Sequence, residues 1–156
     1  MLLIKDLNCS WFLPPPGHAR LGMRLGAGVG VLVIWLVMAL ASVLRPDPRG
    51  LGTHEQLGFP ECGFYERTGW PCPTCGMTTS FSYLSRGQIV KAFMVQPAGA
   101  LTALALVILS LFLLDEAVTG APWHLRLVGL NIKLLFIIYC IIILAGWMWC
   151  CVMQQG

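Results

Sequence analysis

A chain of 156 residues that is 57% hydrophobic and 11% charged carries too little charge to coat a soluble globule of its size, since soluble domains are about half apolar and about a quarter charged. Part of its apolar surface must face lipid, and its length allows one domain. The net charge of +3 comes from scattered Lys and Arg side chains. With no basic cluster or stripe, nothing points to a nucleic-acid partner.

Residues 1–22 read as an irregular tail, with Pro14, Pro15, Pro16 and Gly17 in it, which leaves 23–156 as a single membrane domain. Met23 is an alternative start. Leu25 to Leu44 is free of charge, with Arg20 and Arg24 before it and Arg45 and Arg49 after it. A hydrocarbon core of about 30 Å needs about 20 helical residues, so this segment fits a span. Ala39-Leu40-Ala41 resembles a signal-peptidase site, but signal peptides have apolar runs of only about 7–15 residues. An uncleaved span is expected. Gly22, Gly26 and Gly30 recur every fourth residue, and small residues on one face let helix backbones approach closely. They are candidates for a packing seam with another span or a second copy of the chain.

The long loop, residues 45–96, divides at Cys75. Its first half is punctuated by Gly and Pro with no helical or alternating period; such a segment has no core of its own and needs something to hold it. After Cys75, Met77, Phe81 and Leu84 recur at helical spacing, and Thr78, Ser82 and Ser85 form a second row read as a solvated face. Arg86 and Gly87 are stop signals. Ile89, Val90, Phe93 and Met94 form a second short amphipathic turn, and both helices are expected in the plane of the interface. Gln96-Pro97 opens a second span over 97–114, with Asp115 and Glu116 read as marking the water boundary. The third span covers 134–152; Lys133 can snorkel from its start, and Trp147 and Trp149 suit the headgroup region near its end. No ionisable side chain lies in the middle of a span, which argues against an ion or proton path through this chain alone.

Orientation is balanced by charge. Lys5, Arg20, Arg24, Arg126 and Lys133 on one side match Arg45, Arg49, Arg67, Arg86 and Lys91 on the other, so the positive-inside count is a tie. The chemistry sits in the loop, where Cys62 is followed by Cys72-Pro73-Thr74-Cys75. Three uses are open. A disulfide between Cys62 and Cys72 or Cys75 would staple the loop, and would need it in an oxidising compartment outside the membrane. A zinc ion could take Cys62, Cys72, Cys75 and His54. Thiol–disulfide exchange could use Cys72 and Cys75, one of them in the first turn of the following helix where the dipole favours thiolate, with Cys62 as relay. Cys140, Cys150 and Cys151 belong to the third span as small apolar residues, and Cys9 to the tail. His18, His54 and His124 have no metal-binding spacing among themselves.

The run Gly69-Trp70-Pro71-Cys72-Pro73-Thr74-Cys75-Gly76-Met77-Thr78 resembles the signature of an uncharacterised family of small bacterial integral membrane proteins. In that family an upstream Cys and a Pro-Cys-Pro-x-Cys-Gly-x-Thr motif precede a helix, and a Gly and an Asn-Pro pair come before the next span. Here Cys62, Gly87 and Gln96-Pro97 take those places, and the likeness runs from Cys62 to Leu114. Thr79 stands where an Arg often follows the motif, and Gln96 replaces the Asn. The resemblance implies the bacterial inner membrane and carries no established activity.

The expectation is an all-α protein of three transmembrane helices, with short interfacial helices and a Cys-rich loop between the first two. Its expected role is a structural or accessory subunit with a stapled loop. The alternatives are a membrane thiol–disulfide oxidoreductase and a zinc-binding cap. Expected partners are the bilayer and a second protein or copy, because three spans leave little room for a private pore.

Overall fold

The computed structural model describes residues 17–120 and 131–153. Helix α1 runs over Gly17–Val43, and a single 3-10 turn over Thr53–Leu57 follows it. The short helices α2 (Gly63–Thr68), α3 (Met77–Ser85) and α4 (Ile89–Val95) lead to the long helices α5 (Pro97–Thr119) and α6 (Ile132–Met153). Among the described residues there is no strand. Three stretches, Arg20–Val43, Pro97–Thr119 and Lys133–Met153, are long and apolar enough to cross a membrane, with mean hydropathies of 2.3, 2.3 and 2.5. Their outer faces leave Leu32, Leu36, Ile108, Leu111, Phe136 and Ile141 exposed. Surfaces this apolar suit lipid as solvent, and helices suit it because they satisfy their own backbone groups.

Two long helices are longer than the hydrophobic runs that announced them. Helix α1 begins at Gly17, inside the stretch read as an irregular tail, and α5 continues past Leu114 to Thr119. The added turns meet: Arg24 Nε donates to the Ala117 carbonyl at 2.9 Å. Glu116, read as a marker of the water boundary, is only 3% exposed.

Helix α5 is central, packing against α1, α3, α4 and α6. Ala27, Ile34, Met38 and Ala41 are buried along one face of α1, and Ala98, Gly99, Ala100 and Ala103 along the start of α5. Small side chains set how closely the helices pass. A Cβ added at Gly146 of α6 would lie 2.8 Å from Ala98 Cβ and 3.1 Å from Ala98 N. In the suggested α1 seam, a Cβ at Gly30 would stand 3.0 Å from Leu113 Cδ1 of α5, while Gly22 and Gly26 have nothing within 4 Å.

Helix α3 turns its hydroxyls inward. Thr79, Ser80 and Ser82 are its buried residues, whereas Phe81 and Leu84 are half-exposed. This corrects the solvated reading of Ser82. The reason lies in the backbone carbonyls brought against α3: that of Leu44, past the last turn of α1, and those of Ala92 and Gln96, which already accept the Gln96 and Ala100 N–H groups and have a second lone pair to offer. Ser82 Oγ donates to the Leu44 carbonyl at 2.6 Å, and Ser80 Oγ to those of Ala92 at 3.0 Å and Gln96 at 3.2 Å. Arg86 adds bonds to Ser42 O at 2.9 Å and Leu44 O at 2.7 Å, closing the end of α1.

Replacing Gly146 by Leu should lower the thermal midpoint in detergent, by an amount corresponding to about 1–3 kcal/mol of overpacking. Gly28, whose added Cβ would meet nothing within 4 Å, should accept Leu without a shift.

Candidate functional site

The end of α1, the start of α5 and the end of α6 converge beneath the cysteine loop. Cys62 sits at the N-cap of α2, in extended backbone at φ −65° and ψ 111°. Cys72 to Cys75 form a tight turn, closed by the Cys75 N–H donating to the Cys72 carbonyl at 3.0 Å. Gly76 then takes φ +84° as the N-cap of α3. A side chain there would be strained, and its Cβ would come within 3.1 Å of the Gly50 carbonyl. The turn brings Cys72 Sγ to 3.0 Å from Cys75 Sγ. Cys62 joins them, so that all three sulfurs lie within 4.8 Å of one another as free thiols.

Both catalytic cysteines of the exchange reading precede the first turn of α3, which starts at Met77. That differs from the expectation that one of them would lie inside the turn, because Gly76 occupies the cap. His54 lines the cavity in front of the thiols but stands outside the three-sulfur group. The side chain of His18, and Cys9 and His124, lie outside the described residues.

The loop is held from behind by groups that sequence reasoning missed. Trp147 Nε1 of α6 donates to the Pro71 carbonyl at 2.6 Å, and Trp149 Nε1 to Met94 O at 2.8 Å. Cys150, read only as a small apolar residue, donates its thiol to Val95 O at 3.1 Å. Gln96 is fully buried; its Oε1 accepts the Gly99 N–H at 2.6 Å, and its Nε2 reaches Pro73 O at 3.4 Å. Gln96 is therefore the N-cap of α5, with Pro97 behind it at the position where a missing N–H costs nothing. An Asn-Pro pair would serve the same cap, since Asn is among the preferred N-cap residues. That legible signal is the helix start; the reach back to Pro73 has none. Thr79, which follows Thr78 of the cysteine motif, is buried with its hydroxyl 2.7 Å from that of Thr53.

The two thiols of the turn differ in acidity. Burial works to raise the pKa of Cys72, but hydrogen bonding from the Thr74 hydroxyl at 3.3 Å, the Cys75 thiol, the Thr74 backbone and the Cys62 thiol outweighs it. Its pKa is held below the ordinary thiol value. Burial raises the pKa of Cys75, and the hydrogen bond with Cys72 pushes it the same way. In front of the sulfurs lies an open cavity of about 660 Å³, walled by Arg49, Glu55, Glu61, Tyr65, Met77 and Met153 among others. On its rim Arg49 bridges Asp47 at 2.9 Å and Glu55 at 3.2 Å. The hydrogen bond from Arg49 holds the Asp47 carboxyl below its usual range.

Residues 62–110 match the family described as "Protein of unknown function (DUF2752)". The match spans α2, the cysteine turn, α3, α4 and the first part of α5, which is less than half of the chain. No curated protein and no solved structure matches the chain.

In the metal-free, reduced protein, iodoacetamide should label Cys72 with a pH midpoint below that of an ordinary thiol and leave Cys75 largely unlabelled. Thr74→Val should move the Cys72 midpoint upward. Equal labelling of both thiols at neutral pH would contradict this asymmetry.

Proposed function

We propose that this small integral membrane protein holds one metal ion on Cys62, Cys72 and Cys75, in the loop between its first and second spans. The observation that carries the reading is the approach of Cys62, from a separate stretch of chain, to the pair already joined in the turn. Metal–thiolate bonds of about 2.3 Å set sulfurs about 3.8–4.0 Å apart around one ion. Three sulfurs within 4.8 Å need little adjustment to reach that spacing. A metal uses all three thiols, whereas a disulfide uses two and leaves the third without a role.

The staple reading also loses its motive. The loop was expected to need a bridge because it has no core, yet the Trp147 indole, the Gln96 amide and the Ser80 hydroxyl already hold its backbone. With a bridge no longer required, the argument for an outward-facing loop no longer applies. The accessory role then belongs to a metal-bearing cap rather than to a cross-linked one.

Thiol–disulfide exchange is a second reading, favoured by one observation. Cys72 is half-exposed and more acidic than an ordinary thiol, while Cys75 is buried and less so. That asymmetry suits an attacking thiol and a resolving thiol.

Protein purified under reductant should retain about one equivalent of metal, and replacing any one of Cys62, Cys72 or Cys75 by Ser should abolish it, since each thiolate supplies a ligand. Cys140→Ser should leave the metal in place. A metal-free protein with a Cys62 disulfide would restore the staple. A metal-free protein whose Cys75→Ser variant traps a partner on Cys72 would establish exchange.

A further inference from the structure

We infer that the ion is a soft monovalent cation of the copper(I) class, held by the thiolates of Cys62, Cys72 and Cys75 and delivered along the thioethers of Met77 and Met153. This rests on the metal-holding reading above and names the ion that suits the site.

The donor set is the first argument. Among the described residues, the group close enough to share one ion is sulfur only, with no imidazole or carboxylate in it. Structural zinc sites close a tetrahedron with a fourth ligand. Thiolates and thioethers select copper(I), a soft closed-shell ion that three sulfurs can satisfy. Of the hard donors that line the cavity, Glu55 is paired with Arg49 at 3.2 Å, and Glu61 and His54 lie outside the sulfur group.

The cavity wall is the second argument. Met77, at the first position of α3, and Met153, at the last described turn of α6, line the same cavity as the three thiols. A thioether is a weak acceptor that hard cations ignore and soft cations use. Two of them, brought from separate helices to one opening, give a passing soft ion places to rest before the thiols. Binding involves no electron transfer. Copper(I) enters as copper(I), each coordinating thiol loses its proton to water, and three sulfur–copper bonds form.

The test uses the full chain in detergent, reduced and metal-free, offered copper(I) from a bathocuproine disulfonate buffer in the presence of excess zinc(II). One copper(I) should be retained and zinc excluded, with X-ray absorption showing sulfur neighbours only. The double variant Met77→Leu/Met153→Leu should still fill, but several-fold more slowly than the unaltered chain. Zinc retained in preference to copper, and lost on His54→Ala, would overturn the inference while leaving the metal-holding reading intact. Copper uptake at an unchanged rate in the Met variant would overturn the delivery route, and with it the inference as stated. Retention of neither ion would defeat both.

Discussion

Where α1 ends and where α4 gives way to α5, backbone carbonyls stand close to an apolar solvent that offers them nothing. An unmet carbonyl in such surroundings costs free energy comparable to a lost hydrogen bond, and more with less water. This chain meets them with side chains from other helices. Ser82 and Arg86 take Leu44 O, and Trp147, Trp149 and Cys150 take Pro71 O, Met94 O and Val95 O, while Ser80 adds a second bond at Ala92 O and Gln96 O, which also accept backbone N–H groups. The rest of the structure depends on this exchange, because these bonds tie the end of α1, the loop and α4 to other helices.

One consequence is a loop that needs no core of its own. Its Gly and Pro residues leave few side chains to bury, but its carbonyls are clamped to α3, α5 and α6. The turn at Cys72 to Cys75 rests on Gln96 beneath Pro73 and on the Trp147 indole at Pro71. Three sulfurs are thereby presented at the edge of an open cavity while the chain behind them is held. Ligands carried on a supported turn favour binding, since less order has to be created when the ion arrives.

The spans were legible in composition alone, because uncharged runs of helical length have few other uses. That a helix follows Cys75 was legible from the spacing of Met77, Phe81 and Leu84, but not that Gly76 caps it, nor which face it buries. Periodicity assumes that water takes the polar side, and here protein carbonyls take Ser80 and Ser82 and the Thr53 hydroxyl takes Thr79 instead. The early start of α1 was hidden because charge was taken to end the helix, whereas Arg24 finds the Ala117 carbonyl across the helix pair. In the site, the Cys72–Cys75 spacing was plain. The return of Cys62 to it was not, since it depends on how α2 and the short stretch from Gly69 to Pro71 fold back, which no local pattern encodes. His54, placed beside those cysteines by its residue type, shares their cavity without joining their sulfurs.

The central claim is that Cys62, Cys72 and Cys75 act together on one ion. Trivalent arsenic tests it directly, because it bonds three thiolates at once. Native mass spectrometry of the reduced chain with arsenite should show one arsenic bound with the loss of three protons, and all three cysteines should then resist alkylation. Arsenic bridging only two thiols, with Cys62 still open to alkylation, would contradict the account.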